Sequence, residues 1–423
     1  MAAQRLCFCF CFFLPLLVLL PSSSLQLSPK LNFSDLKALI AIKNSLTPIY
    51  NTRHSFFSTW DYTSPDPCSS FSGVTCSLLQ PASLRVTILS LGDSPGLAGS
   101  LPAAISGLTE LTQLILSPGI VTGSIPPEIG KLTKLRVISL PSNRFTGRIP
   151  ATFSSLNSLH TLDLSHNQLT GSVPPGLTKL PELKVLILAF NSVSGELPSI
   201  SSQLLHLDLK NNFLAGQLPP SLPSLPSSLR YLSLSNNRMW GPLSGLAPLT
   251  ELTFLDLGMN QFSGPVPDPL FFIPTLSSLF LQRNNLSGGI PPTAQGTLIS
   301  TSPSYGQGSI VDLSHNFLTG ELSTVLNGVE SLFLNNNRLT GTVPEEYFRS
   351  VSSGSTKTLY LQHNYFTGFP RVNGLPDTAS LCLSYNCMVP PLWGVMTCPA
   401  SSGGPMSRPT AQCSMFKNGS SKG

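Results

Sequence analysis

Four aspartates are the residues best spaced for chemistry in this chain, because each stands at the middle position of a recurring Leu-x-Leu phrase or its close equivalent. They are Asp163, Asp208, Asp256 and Asp312. Alternation along a strand would point the flanking residues inward and each carboxylate outward. Asp163 and Asp208 would lie two strands apart, about 10 Å, near or just beyond the carboxylate separation of inverting glycosidases. An open sheet provides no burial to raise one pKa and hold a proton donor, so we predict that the protein is not an enzyme.

Three histidines share the position just after such a strand, but they are widely separated. His166 is far from the other two, and His315 and His363 would be two strands apart. We interpret them as solvated residues on the rim of the sheet, and the alternative is a contact that responds to pH. No residue set predicts a metal site or a cofactor.

The composition predicts a packed core. Charged residues make up 10% of the 423 residues, well below the roughly 25% of an average soluble protein. Hydrophobic residues make up 41%, which is too high for a disordered chain. The net charge is +5 without a basic run, which is weak evidence for a polyanionic partner.

The N-terminal residues have the order of a secretory signal peptide. Arg5 precedes an apolar run at residues 6–20, and serines follow at residues 22–24. Pro15 interrupts this run, which is shorter than the roughly 18 residues of a membrane span, and a signal anchor is the alternative. No later segment has that length, and no hydrophobic tail for a lipid anchor ends the chain. We expect residues 1–24 to be removed and the protein to be secreted, without a membrane span and without a nucleic-acid partner.

A repeat, in most steps 21 to 25 residues long, dominates residues 85–386. Its fixed points are the second leucine of each Leu-x-Leu pair and, in most repeats, an asparagine three residues later. Those leucines are Leu91, Leu116, Leu140, Leu164, Leu188, Leu209, Leu234, Leu257, Leu281, Leu313, Leu334, Leu361 and Leu383. The asparagine could satisfy backbone groups at a sharp turn, and a glycine four residues on, such as Gly147, indicates a positive φ. Because one repeat cannot bury its own leucines, we predict a solenoid of about 13 repeats.

The stretch at residues 162–174, Leu-Asp-Leu-Ser-His-Asn-Gln-Leu-Thr-Gly-Ser-Val-Pro, resembles the plant-specific class of leucine-rich repeats. That class includes receptor-kinase ectodomains, receptor-like proteins and polygalacturonase inhibitors. The resemblance implies an α/β solenoid that coils as a right-handed superhelix, with a concave parallel sheet, 3₁₀ segments on the convex side and a short second sheet. The first two repeats depart from the pattern, with Ser94 and Gly119 in place of the asparagine. A long step between repeats predicts an exposed irregular loop at about residues 292–308.

The chain ends resemble the caps of the same class. In the N-terminal cap, residues 25–84, Ser34 and Asp35 would cap a helix that packs over Trp60. Phe71 stands where the class usually has Trp. Residues 387–423 would form the C-terminal cysteine cap and a polar tail.

Six cysteines remain after the signal peptide, and all lie near the two ends: Cys68, Cys76, Cys382, Cys387, Cys398 and Cys413. Their even number in an oxidising compartment favours disulfides over a zinc site. The resemblance implies a Cys68–Cys76 bridge. It also implies a Cys387–Cys398 bridge, which would leave Cys382 to pair with Cys413, although the spacing alone leaves three pairings open.

Three sequons mark candidate glycosylation sites: Asn32, Asn285 and Asn418. Asn285 would point outward because it lies beside a repeat asparagine, Asn284.

Large side chains at or next to outward strand positions of the middle and late repeats predict a recognition surface, because aromatic residues and arginine anchor interfaces. The candidate ligand-binding residues are Tyr231, Phe254, Met259, Phe280, Arg283, Phe333, Tyr360, Gln362 and His363. Alternatively, the long loop or a glycan covers part of this patch. Thirteen strands would give an arc of roughly 60 Å, which fits an extended peptide of about 15–18 residues or one flank of a globular protein.

The sequence therefore favours a secreted, non-catalytic recognition protein of plant cell-surface signalling or defence. It would bind a peptide or protein through the concave face, and a membrane receptor kinase is a candidate second partner. The alternative is an inhibitor of a secreted cell-wall-degrading hydrolase, similar to polygalacturonase inhibitors. Those inhibitors are shorter and have a different C-terminal cysteine pattern. A structural role in the wall would need a Ser/Pro-rich extension, which we do not find.

Overall fold

The computed structural model describes residues 30–49, 55–64, 67–80, 83–92, 96–222, 229–292, 305–370, 375–389, 398 and 407–417. The expected signal peptide, Asn418 and most of the expected loop at residues 292–308 lie outside this part of the chain. The repeats stack into a solenoid whose two sheets are built from successive parallel strands, as predicted.

The first sheet has 15 strands and holds the leucine pairs. The register places Leu162 between Ile138 and Leu186 of the neighbouring strands, and all three side chains are fully buried. Two strands come from the N-terminal cap, Lys30–Leu31 and the antiparallel Val74–Gln80. The repeat strands are Ser83–Leu91, Gln113–Leu116, Val137–Ser139, Thr161–Asp163, Val185–Ile187, His206–Asp208, Tyr231–Ser233, Phe254–Asp256, Ser278–Phe280, Ile310–Asp312, Ser331–Phe333, Thr358–Tyr360 and Ser380–Cys382.

The second sheet has ten strands, followed by a separate pair, and is longer than the short sheet that the resemblance implied. It is long because most repeats contribute a strand directly after the asparagine. Its strands are Leu46–Pro48, Leu97–Ser100, Ile120–Ser124, Arg144–Arg148, Gln168–Gly171, Ser192–Glu196, Phe213–Gly216, Arg238–Gly241, Gln261–Pro265 and Asn285–Ser287, and the pair is Thr319–Glu321 and Arg338–Thr340.

The repeat asparagines join neighbouring repeats at the turn between the two sheets. Asn167 donates from Nδ2 to the carbonyls of Leu140 (2.9 Å) and Leu164 (3.1 Å), and its Oδ1 accepts from the Phe145 amide (3.0 Å). Each buried amide thus satisfies backbone groups of two repeats, as the sequence predicted. Gly147 has the expected positive φ, +74°.

Short helices return the chain on the side opposite the first sheet. The α-helices are Phe33–Ser45, Pro67–Ser70, Glu345–Ser352 and Thr410–Lys417. The 3₁₀ helices are Phe56–Thr59, Ala103–Gly107, Pro127–Lys131, Ala151–Ser155, Leu177–Lys179, Ser244–Leu246, Asp268–Phe272 and Thr324–Leu326. Most of these segments bury at least one apolar residue against the leucines of the sheets, and this closes the core.

The first helix begins differently from the prediction. Asn32, and not Ser34 or Asp35, is the N-cap, and its side chain accepts a hydrogen bond from the Ser34 amide (2.9 Å). Asp35 is fully buried, where it pairs with Arg85 (2.9 Å) and accepts from the Val86 amide (2.8 Å). This carboxylate therefore fastens the helix to the first repeat strand.

The aromatic residues of the N-terminal cap form a small core of their own. Trp60 is buried and stacks on Phe71, with ring centroids 5.2 Å apart. Its backbone carbonyl accepts a hydrogen bond from Lys43 of the first helix, and its indole Nε1 donates to the Ser72 carbonyl (3.0 Å). The predicted position of Trp60 beneath the helix is confirmed.

The disulfides confirm one expected pairing and correct two. Cys68 pairs with Cys76, as the resemblance implied, but Cys382 pairs with Cys398 and Cys387 pairs with Cys413. The expected Cys387–Cys398 and Cys382–Cys413 bridges are wrong, and the backbone at the C-terminal end explains why.

A bridge between Asn386 and Ser407 brings the last helix beside the final asparagine turn. That helix carries Cys413, and the turn carries Cys387, so these two sulfurs meet. Cys382 is fully buried at the end of the last strand and is left to meet Cys398.

Candidate ligand-binding face

Four rings from four successive strands stack on the open face of the first sheet. His206 and Tyr231 are almost parallel with centroids 4.0 Å apart, and Tyr231 and Phe254 are 4.4 Å apart. Phe280 continues the stack 5.7 Å from Phe254, tilted by 48°. We call these four residues the central ladder. The strand register produces it, because His206, Tyr231 and Phe254 occupy paired positions on adjacent strands.

The remaining aromatic candidates form a separate cluster. Phe333 and Tyr360 contact each other edge to face, with centroids 5.3 Å apart. On the sheet, Asp312 lies in register between Phe280 on one neighbouring strand and Phe333 on the other. Its carboxylate therefore separates the Phe333–Tyr360 pair from the central ladder. The sequence predicted one continuous patch, whereas the structure has two clusters.

The rings are half-buried because they pack against one another along the sheet. Burial raises the pKa of Tyr231 to about 12, and the negative charges of Asp208 and Asp256 add to the effect. Burial also lowers the pKa of His206 from its ordinary 6.5. Both rings are therefore neutral at pH 7, and the ladder presents an apolar surface.

The carboxylates of the open face are more buried than the sequence suggested. Asp208 is buried beside the ladder and lies 3.4 Å from the Lys210 ammonium. Burial raises the pKa of Asp256 and of Asp312, in opposition to hydrogen bonds from Gly258 and Ser314. The expectation that an open sheet leaves these groups without burial is therefore wrong, since neighbouring side chains cover them.

The rim of the face carries Met259, Arg283 and His363 at equivalent positions, each directly before a repeat asparagine. Met259 is 48% exposed, Arg283 is exposed, and His363 lies 5.0 Å from the Tyr385 ring. All three have a positive φ, between 55° and 58°.

Gln362 departs from the surface position that we expected for a ligand-binding residue. Its side chain is only 5% exposed, and its Oε1 has no hydrogen-bond partner in the described part of the chain. The position after the second leucine points into the turn between repeats. A direct contact with a ligand would require this side chain to move.

Two ring residues of this face were missed by the sequence analysis. His206 opens the central ladder, and Phe190, which is 40% exposed, stacks on His166 with centroids 4.2 Å apart. A comparison of equivalent positions across all repeats would have found His206, because it precedes Leu-Asp-Leu as Tyr231 precedes Leu-Ser-Leu. His166 is thus a stacked rim residue.

The described sequons lie away from the central ladder. Asn285 is exposed at the start of the second-sheet strand Asn285–Ser287, and Asn32 caps the first helix. Within the described residues, no group of three or more His, Cys, Asp or Glu side chains is placed to hold a metal ion. No helix in the same part of the chain has both the length and the apolar character needed to span a bilayer.

A parallel sheet of Leu-x-Leu strands joined by buried asparagines defines a leucine-rich-repeat solenoid. The sequence matches the family described as "Leucine rich repeat N-terminal domain" over residues 33–77. It also matches two leucine-rich-repeat families, over residues 133–193 and 203–225.

The curated relatives include plant receptor-like proteins. Receptor-like protein 35 of Arabidopsis thaliana is 32% identical over 193 residues, which cover 43% of this chain and 19% of that protein. Receptor-like protein 18 of the same species is 32% identical over 186 residues, with coverages of 43% and 21%. The matched region thus spans about a fifth of the length of these relatives.

Solved structures share the fold over more of the chain. The PEPR1–AtPEP1 crystal structure has a TM-score of 0.56 and 27% identity, and it covers 85% of this chain and 56% of that one. The plant peptide hormone receptor RGFR1 in complex with RGF2 also scores 0.56 with 27% identity, covering 69% and 50%. A plant ice-binding protein scores 0.56 with 26% identity, covering 84% and 100%. Because the same fold serves unlike tasks, function must be argued from the site.

Proposed function

We propose that this protein is a secreted, non-catalytic recognition module that binds a peptide or protein through the open, concave face of its first sheet. The observation that carries this proposal is the central ladder. Stacked, neutral rings on a rigid sheet form an apolar surface of the kind that anchors interfaces. Peptide-hormone receptors with the same fold support the assignment to plant cell-surface signalling or defence.

The ladder also suggests the shape of the ligand. Four strands at the usual spacing extend the rings over about 14 Å, which matches about four residues of an extended chain. Such a chain would run across the strands, and its alternate side chains, about 7 Å apart, would face the rings. Met259 and Arg283 on the rim would contact its edge.

The carboxylates suggest the charge of the ligand. Phe280 lies in register between Asp256 and Asp312, so an apolar ring has a carboxylate on each side. A ligand with an apolar side chain between two basic ones would complement this arrangement. The two carboxylates are two strands apart, about 10 Å. Because alternate residues of an extended peptide face the same side, the basic residues would be four positions apart with the apolar residue midway, and their long side chains would converge on the carboxylates.

A membrane receptor kinase is the second partner that we propose, because the matched relatives are receptor-like proteins. Its contact would lie at the rim or at the C-terminal pair, Phe333 and Tyr360, outside the ladder. Inhibition of a secreted wall-degrading hydrolase is the alternative, and it would use the same face against a globular enzyme.

The test is binding of the purified protein to an array of extended peptides with paired basic residues. We expect Tyr231→Ala plus Phe254→Ala to weaken binding at least about tenfold. Ile115→Ala plus Val137→Ala is the matched control, since both residues are half-buried on the same face, three or more strands from the ladder. Equal binding by the two double variants would contradict the proposal. Inhibition of a polygalacturonase without peptide binding would favour the alternative.

A further inference from the structure

A cleft of about 570 Å³ lies at the edge of the second sheet, away from the central ladder. It crosses the repeats whose second-sheet strands are Gln168–Gly171, Ser192–Glu196, Phe213–Gly216 and Arg238–Gly241. Its length over these four strands is therefore about 14 Å.

The floor of the cleft is apolar and fixed. Val173, Leu197 and Leu218 line it and are buried, and Pro198 and Pro219 lie beside them. Proline has a fixed φ, so these walls are rigid before any ligand arrives, and it has no amide hydrogen. A peptide that adds a strand to an edge needs backbone donors, which this proline-lined wall supplies poorly.

Trp240 forms one end of the cleft and is 48% exposed. Within the described residues, no aromatic ring or cation stacks on its indole. A large exposed indole leaves much apolar surface in water, and tryptophan is among the residues most enriched at binding hot spots. By contrast, Trp60 is buried in the N-terminal cap.

Two exposed polar side chains at the rim lie over neighbouring glycines. A Cβ atom on Gly216 would lie 2.8 Å from Glu196 Cγ, and one on Gly241 would lie 2.8 Å from Gln217 Cγ. Both side chains therefore lie across the next strand, in the space that a side chain there would fill. They offer a carboxylate and an amide beside the indole.

We propose that this cleft binds a neutral saccharide chain, with a sugar ring stacked on Trp240. A pyranose has an apolar face of C–H groups and a polar edge of hydroxyls. The indole matches the apolar face, whereas the Glu196 carboxylate and the Gln217 amide match neighbouring hydroxyls. No lysine or arginine lines the cleft, and its one charge is negative, so uronates and phosphates are disfavoured.

A polyproline helix is the competing occupant, because such helices dock into aromatic grooves. Those grooves are lined by several aromatic rings, whereas this cleft has a single one. The carboxylate and amide at the rim also suit hydroxyls better than a polyproline chain, which has no amide hydrogens to donate.

The test is calorimetric titration of the full chain with cellohexaose, mannohexaose and laminarihexaose, and with hexagalacturonate and a polyproline peptide for comparison. We expect at least one neutral hexasaccharide to bind saturably and the two comparison ligands not to bind. Trp240→Ala should weaken binding at least about tenfold, and Trp240→Phe should retain part of it. Phe213→Ala is the matched control, an exposed ring on the adjacent strand outside the cleft, and it should bind as the unchanged protein does.

Three results would overturn the proposal: no binding of any neutral hexasaccharide, equal binding by Trp240→Ala, or preferential binding of hexagalacturonate or polyproline. Because Trp240 lies outside the central ladder, the Tyr231→Ala plus Phe254→Ala variant should still bind the saccharide. The two proposals can therefore fail separately.

Discussion

At the N-terminal end of the solenoid, a 13-residue helix, an aromatic cluster and a buried ion pair cover the first repeat, with one disulfide across eight residues. At the C-terminal end, an eight-residue helix covers the last repeat with two disulfides across 16 and 26 residues. Both ends shield the same kind of leucine stack. The N-terminal end relies mainly on buried side chains, with one short cross-link, whereas the C-terminal end relies mainly on two longer cross-links. Substitutions that remove the buried ion pair or a single disulfide test this difference.

The largest effect is expected where the N-terminal cap depends on a buried charge. Asp35→Ala removes the partner of Arg85 and leaves the Val86 amide unsatisfied. We expect the free energy of unfolding to fall by about 3–5 kcal/mol, measured by chemical denaturation with hydrogen exchange to locate the loss. Lys134→Ala breaks the exposed pair with Glu110 and should cost less than about 1 kcal/mol. If the two variants lose equal stability, the cap does not depend on this ion pair.

The next effect concerns the cross-links. Loss of a disulfide costs more when the closed loop is longer, so Cys387→Ser plus Cys413→Ser should cost about 3–4 kcal/mol. The Cys68–Cys76 bridge closes a shorter loop. Its removal by Cys68→Ser plus Cys76→Ser should lower the free energy of unfolding by only about 2–3 kcal/mol, because the surrounding aromatic core stays in place. Hydrogen exchange should show fraying of the last repeats only in the first variant. A larger loss at the N-terminal end would reverse the comparison.

A smaller effect is expected at Arg408, which joins the C-terminal helix to the last turns. Its guanidinium lies 4.1 Å from the Tyr365 ring centroid and 4.5 Å from that of Tyr385, and its Nε donates to the Asn364 carbonyl (2.6 Å). Arg408→Lys keeps the charge but loses the planar stacking, at a cost of about 1–2 kcal/mol. The melting temperature measures the loss. No change would mean that the disulfides alone hold this helix.

The smallest change in stability is expected for a buried carboxylate in the repeats between the two ends. Burial raises the pKa of Asp256 in the folded protein above its ordinary 3.8. The folded state therefore binds the proton more readily than the unfolded state, so this group lowers stability once the pH rises above that range. Asp256→Asn should raise the melting temperature slightly at pH 7, and the difference should vanish as the pH falls below about 4. A difference that is constant with pH would show that lost hydrogen bonds, not charge, cause it.

The repeated pattern made the fold predictable, because each leucine pair and asparagine repeats one local solution many times. The ends were less predictable, since the cysteine pairing depends on where the last helix packs and no spacing encodes that. Asp35 illustrates the same limit. In the sequence it looks like a helix cap, and only its distance from Arg85 shows its role.

The geometry of the candidate face was predictable in part, for a related reason. The outward positions of Tyr231 and Phe254 follow from alternation along a strand, but the stacking with His206 depends on register between strands. The orientation of Gln362 could not be read from alternation, because it lies in the turn beyond the strand. The cleft at Trp240 involves positions in four repeats, and sequence spacing says little about its depth.

The backbone before each repeat asparagine has a consequence for how this molecule can change. In the described chain, every non-glycine residue with positive φ stands there: Ser142, His166, Phe190, Asn211, Asn236, Met259, Arg283, His315, Asn336, His363 and Tyr385. Each conformation costs roughly 1 kcal/mol or more for a residue other than glycine or asparagine. Each of the eleven repeat asparagines is preceded by one of these residues and not by a glycine, so the solenoid carries this strain along a whole row of side chains. Substitutions in this row would therefore change the chemistry of the rim of the proposed binding face while the asparagines and leucines that stack the coils stay in place.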